Sequence, residues 1–104
     1  MNPFSTELLP EQAVARMLAT RHEIICAAMV IDPASKLVMP RDEEAIRHLN
    51  ACNAAEQIRE YLECVHERMT DIESPSAAWV SGLIDKARQL EALHLWHLDG
   101  AVPF

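Results

Sequence analysis

Two Glu-x-x-His sequences, Glu63-Cys64-Val65-His66 and Glu91-Ala92-Leu93-His94, carry the spacing that metal chemistry on helices would need. Three residues apart on a helix, a carboxylate and an imidazole stand one turn apart on one face. Two such pairs on facing helices, joined by two bridging glutamates, build a di-metal carboxylate site. The bridging candidates here are Glu23 and Glu44. Helical phase argues against the site: if Leu62 and Val65 face a core, Glu63 points outward and His66 falls at a flank. His94 and His97 form a second arrangement, an i, i+3 imidazole pair that zinc takes with Cys64 or Asp99 as a further ligand. Packed without metal, the same imidazoles would make their surroundings sensitive to protonation. Nucleophilic catalysis has less support, because Cys64 and His66 lie two apart and so point about 200° away from each other on a helix. The serines at 5, 35, 74, 76 and 81 sit in no nucleophile-elbow context. We therefore expect no catalytic group, no bound metal and no cofactor. The alternative is a helical metal-binding or redox protein using His66, His94, His97, Glu63, Glu91 and Cys64.

A more continuous pattern is acidic. Glu56, Glu60, Glu63, Glu67 and Asp71 follow one another at four- and three-residue steps, so on a helix they form one stripe. Like charges one turn apart cost roughly 0.2–0.5 kcal/mol per pair, and Arg59 and Arg68 beside the stripe relieve part of it. The chain carries sixteen acids against nine bases, a formal charge of −7. That balance disfavours direct contact with nucleic acid phosphates or anionic lipid and suits a basic protein surface.

The element that must position both patterns is Asn53–Ile72. Ala55, Ile58, Leu62, Val65, Met69 and Ile72 recur at alternating three- and four-residue steps, the heptad seam of a helix. Asn53 followed three residues later by Glu56 reads as its capping box. Half of the 104 residues are apolar, glycine occurs twice, and helix formers dominate, so the composition is that of an all-α protein. A chain this long has room for a single domain over 1–104, with 1–9 as an arm docking through Phe4, Leu8 and Leu9.

In chain order, Pro10 suits a first helical turn, and Val14, Met17, Leu18, Ile24, Ile25, Ala28 and Ile31 predict a helix from about 10 to 31. Thr20 with Glu23 is a second capping box and marks a possible break. Residues 24–39 also admit a short β-hairpin turning at Asp32-Pro33-Ala34-Ser35, and the helix is preferred because Cys26-Ala27-Ala28 is poor strand material. Pro33 to Pro40 is a connection, after which Arg41-Asp42-Glu43-Glu44 opens a helix expected to kink or break at Asn50 and Asn53. Ser74 and Pro75 should cap and start the last helix, which runs through Val80, Leu83, Ile84, Ala87, Leu90, Leu93, His94 and Leu98 to a stop at Asp99-Gly100. The last two helices, joined by a few residues, make an antiparallel hairpin.

These readings describe a bundle of four to five helices with a C-terminal helical hairpin. Three cysteines without a two-residue spacing read as reduced thiols of a cytoplasmic protein, and Met1–Leu9 lacks the basic and apolar regions of a signal peptide. The expected function is a non-catalytic protein–protein interaction module, an acidic regulator or inhibitor that meets a basic surface of a nucleic-acid-handling complex through Glu56, Glu60, Glu63, Glu67 and Asp71. Neither nucleic acid nor membrane is an expected direct partner. The run Leu93-His94-Leu95-Trp96-His97-Leu98 is apolar all round, which suggests a homodimer interface at Leu93, Trp96 and His97, or a structural subunit of a homo-oligomer.

Overall fold

A computed structural model describes residues 9–100. The expected contributions of Phe4 and Leu8 lie outside the described residues. The order is α1 (Glu11–Ala19), α2 (Arg21–Ala27), β1 (Met29–Ile31), β2 (Val38–Pro40), α3 (Glu43–Asp71) and α4 (Ala77–Asp99). The expected helical bundle with a C-terminal hairpin is the observed architecture.

The N-terminal segment divides at Thr20, where the capping box suggested a break. Thr20 does not cap with its side chain. Its hydroxyl turns back to the Arg16 carbonyl at 2.8 Å. The second helix ends at Ala27, short of the expected 31, and Met29–Ile31 pairs antiparallel with Val38–Pro40. The hairpin reading of this stretch is thus realised alongside a shortened helix. Asp32 explains the stop: its carboxylate accepts from the Ser35 N–H at 3.0 Å and from the Ser35 hydroxyl, while its carbonyl accepts from Lys36 N at 2.8 Å. That closed turn offers the backbone a better set of partners than a further helical turn into Pro33 would. The same Ser35 bonds hold the Asp32 carboxyl below the usual range.

The third helix is continuous over 29 residues, about 44 Å at 1.5 Å per residue, and the break expected at Asn50 and Asn53 does not occur. Its N-cap is Asp42, which accepts from Ala45 N at 2.7 Å ahead of Glu43 and Glu44. Asn53 is not a cap, because its side-chain oxygen accepts from Arg21 Nη2 at 2.6 Å. Its amide is used in a contact between helices, so the local capping signal had a tertiary meaning. The third helix stops in a tight αL turn: Glu73 has φ +54°, and Ser74 N donates to Met69 O at 2.8 Å. Ser74 and Pro75 lie in the turn and Ser76 is the last residue before α4, so the helix starts two residues later than Pro75 suggested. At the far end Gly100, φ +64°, closes α4 as expected.

Helices α3 and α4 pack along each other, α1 and α2 lie chiefly on α4, and the β-hairpin sits over the start of α3. The core gathers at this end from Val14 and Met17 of α1, Ile24 of α2, Ala45 and Cys52 of α3, and Ala92, Leu95 and Leu98 of α4. Towards the α3–α4 turn the helices meet through small buried residues, Ala55, Val80 and Ala87, and among the described residues no third layer covers them on one side. The outcome is a long molecule, 56 × 35 × 22 Å. Its radius of gyration is 16.2 Å, against about 12–13 Å for a compact chain of this size. No described helix is long and apolar enough to cross a membrane.

Candidate interaction surface

The buried chemistry of the fold centres on Glu91, the one fully buried charged side chain among the described residues. It stands on α4 between two arginines. Arg59 Nε of α3 donates to Glu91 Oε1 at 2.9 Å, and Arg21 Nε of α2 lies 3.5 Å from Glu91 Oε2. The network continues outward: Arg59 also donates to Glu63 at 2.9 Å, and Arg21 Nε reaches Glu56 Oε2 at 3.1 Å. The Glu91 hydrogen bond is the largest influence holding Arg59 in its charged form, against the opposing effect of burial. One buried carboxylate therefore ties α2, α3 and α4 together. Beside it Cys52 is fully buried, and desolvation pushes its thiol pKa up, which makes it an inert packing group.

This geometry resolves the two Glu-x-x-His sequences. Their glutamates, Glu63 and Glu91, converge on the same guanidinium of Arg59. Their histidines diverge, because an i+3 step runs in opposite directions on antiparallel helices. His94 meets His48, Nδ1 to Nδ1 at 3.0 Å, whereas His66 lies eighteen residues beyond His48 on α3, about 27 Å away. The di-metal arrangement is not assembled, and no group of three or more metal-binding side chains is present among the described residues. Cys64 is exposed, and Glu23 and Glu44 bridge neither histidine pair; Glu44 instead stands 3.8 Å from His48 Nε2.

A cluster missed from sequence is His48, His94 and His97. His97 stacks on His48 at a ring separation of 4.7 Å, and Trp96 meets His97 edge-on at 5.0 Å. Burial, then the neighbouring imidazoles, lower the pKa of His94. The same two causes lower His97, opposed by Glu44. His48 is the absent partner in the sequence argument, 46 residues from His94, and only the antiparallel register brings it in.

The acidic stripe is split by the same packing. Glu56 and Glu63 are taken into the arginine network, while Glu60, Glu67 and Asp71 stay exposed and enter no ion pair among the described residues. Of the expected interface residues, Leu93 and Trp96 are half-buried against the core and His97 is held in the imidazole cluster.

The surface left open is apolar and lies on α3 and the first two-thirds of α4. The α4-facing line of α3 runs through His48, Cys52, Ala55, Arg59, Leu62 and His66, each buried or half-buried. Relative to the expected seam it is rotated by about half a residue step, so that Arg59 and His66 replace Ile58 and Val65. Ile58 and Ile72 are 55% and 76% exposed, and Tyr61 is 70% exposed. On α4, Trp79 and Leu90 are 69% and 53% exposed. At 100° per residue these positions all fall on the side of the α3–α4 plane opposite the contacts that α1 and α2 make through Arg21 and Glu11. The acids Glu60, Glu67 and Asp71 fall on the other side, continuing the line of Glu56 and Glu63. No protein-family model matches the chain, and no curated protein or solved structure shows significant similarity to it.

Proposed function

We propose that this chain is a non-catalytic protein–protein interaction module of the cytoplasm, a small acidic regulator or inhibitor. It docks helix against helix through the open apolar face of α3 and α4. Its opposite flank, with Glu60, Glu67 and Asp71, faces a basic surface of a nucleic-acid-handling complex. The observation that carries the reading is the half-used seam of α3: Ile58, Tyr61 and Ile72 are large apolar side chains left more than half exposed by the described residues. Large contiguous apolar surface on a folded chain marks an interaction site, and a rigid helical face is a common form of one. The three free thiols, two of them exposed, fit a reducing compartment.

The test is the size of the assembly that the tagged chain occupies in extract of its source cells. The wild type should migrate well above its own mass, and Ile58→Ser/Trp79→Ser should shrink that assembly by whatever docks on the apolar face. Glu60→Lys/Glu67→Lys/Asp71→Lys should release a basic protein while leaving the apolar contact. Circular dichroism should be unchanged in both variants, because every substituted residue is exposed. Migration of the wild type as a free chain would reject the proposal.

A further inference from the structure

We infer that the occupant of the open α3–α4 face is a second copy of this chain, the two helical hairpins closing into a four-helix bundle across a two-fold axis. This rests on the reading of that face as a docking surface and names what docks there.

Charge placement favours a second copy. A chain of formal charge −7 resists meeting its own copy, so self-association requires a face from which the acids have been removed. The open face meets that condition. Along 54–72 of α3 the acids Glu56, Glu60, Glu63, Glu67 and Asp71 all fall on the seam or on the α1–α2 side. On α4, Asp85 falls on that side too and Glu91 is buried between Arg59 and Arg21; the charges left on the open side are Lys86 of α4 and Arg68 beside Tyr61 on α3. Among the described residues the face is thus largely apolar with two separated cations and no carboxylate, and an identical face meets it without bringing the acids of the two chains together.

The architecture also calls for a second helical pair. Among the described residues, which stretch to 56 Å, helices α3 and α4 have a third layer on one side only. An antiparallel helical pair with one apolar face is half of a four-helix bundle, and a second pair completes it. The two long apolar stripes are of matching extent. Ile58 to Ile72 spans about 21 Å of α3, and Trp79 to Leu90 about 16 Å of α4. The exposed area is of the right size. The five residues that are more than half exposed on this face together present on the order of 600 Å², a large part of the roughly 800 Å² per partner that a stable interface buries.

The test uses the purified full chain alone, by sedimentation equilibrium over a wide concentration range. Twice the 11.7 kDa chain mass is expected, falling towards the single-chain mass on dilution. Ile58→Glu and Leu90→Glu each place a carboxylate on the face and should give the single-chain mass at every concentration, with helical circular dichroism retained. Glu60→Gln, on the acidic flank, should leave the mass unchanged. Amide hydrogen exchange of the wild type needs no variant: protection over 58–72 and 79–90 should rise with protein concentration while that of 11–27 stays fixed. A single-chain mass at all concentrations, or a dimer that survives both carboxylate variants, overturns the inference. If the purified chain is single while the assembly in extract still shrinks with Ile58→Ser/Trp79→Ser, the second copy is refuted and the docking face stands. A single chain in both settings removes both.

Discussion

Removing both arginines from Glu91 should cost far more than removing either. The carboxylate is fully buried, with Arg59 hydrogen-bonded at 2.9 Å and Arg21 standing by at 3.5 Å. In Arg59→Met the charge-assisted bond is lost, worth about 1.5–3 kcal/mol, while Arg21 remains close enough to move in. Arg21→Met loses contacts to Asn53 and Glu56 as well, but leaves the shorter Arg59 bond to Glu91 intact, so about 1–3 kcal/mol is expected from contacts that are partly solvated. The double variant strands a buried carboxylate with no cation, a defect that costs about 3–5 kcal/mol in itself. Its total should therefore exceed the sum of the single losses, since each single variant leaves one cation beside the carboxylate, unless Glu91 escapes by taking up a proton. That escape has its own signature, a double variant that gains stability on acidification where the wild type does not. Glu91→Leu in the wild-type background should be milder than the double variant, because Arg21 and Arg59 are a fifth to a quarter exposed and can turn to solvent. The assay is urea unfolding at fixed protein concentration, with the four proteins closing a double-mutant cycle. Strict additivity at neutral pH, without the acid-dependent gain, would refute the view that the two arginines share one buried charge.

Three further outcomes follow from local geometry. Acidification should destabilise the protein as pH falls below about 6.5, the ordinary histidine value. The pKa values of His94 and His97 are lowered in the fold, so in this window the unfolded chain binds more protons and stability rises with pH. The urea midpoint should drop between pH 7.5 and the folded pKa values, and His94→Gln/His97→Gln should flatten that slope. Asp42→Ala removes the cap on Ala45 N and should lower stability by about 1 kcal/mol, read as a fall in Tm of several degrees. Glu73→Gly should raise stability by about 1 kcal/mol, since the residue holds φ +54° at the end of α3 where glycine carries no Cβ penalty; unchanged Tm would mean the strain is relieved elsewhere.

How much of this was legible in the sequence depends on how far apart the deciding residues lie. The helical class, the acidic first turn at Asp42–Glu44, the stop at Gly100 and the pairing of the last two helices are local signals, and each is found in the fold. Long-range partners had no local signature. Asn53 has the type and spacing of a cap, yet Arg21, 32 residues away, claims its side chain and α3 runs straight through. Glu91 sits at a position that reads as ordinary helix surface until Arg59 and Arg21 arrive from two other helices. His48 attracts no attention beside Arg47 and Leu49, and it becomes the centre of an imidazole cluster only because antiparallel packing sets it level with His94 and His97.

The seam of α3 is the instructive failure, because its pattern was sound and its interpretation was incomplete. Alternating three- and four-residue steps report the mean direction of everything a helix packs against, and they do not distinguish one neighbour from two. Here Ala55, Leu62 and Met69 lie between the directions, and the described residues fill only the α4 side. Arg59 and His66 line the filled side in place of Ile58 and Val65, which turn towards the open one. A helix selected to pack on α4 alone would gain nothing from large apolar residues at 58, 61 and 72, each more than half exposed. In the association proposed above, the angle between the apolar axis of α3 and the line to α4 is the direction in which the second copy would lie. Its counterpart on α4 runs through Trp79 and Leu90 on the same side of the hairpin. Two independent helices pointing their unused apolar residues across one plane is the pattern that a second helical layer would impose on both.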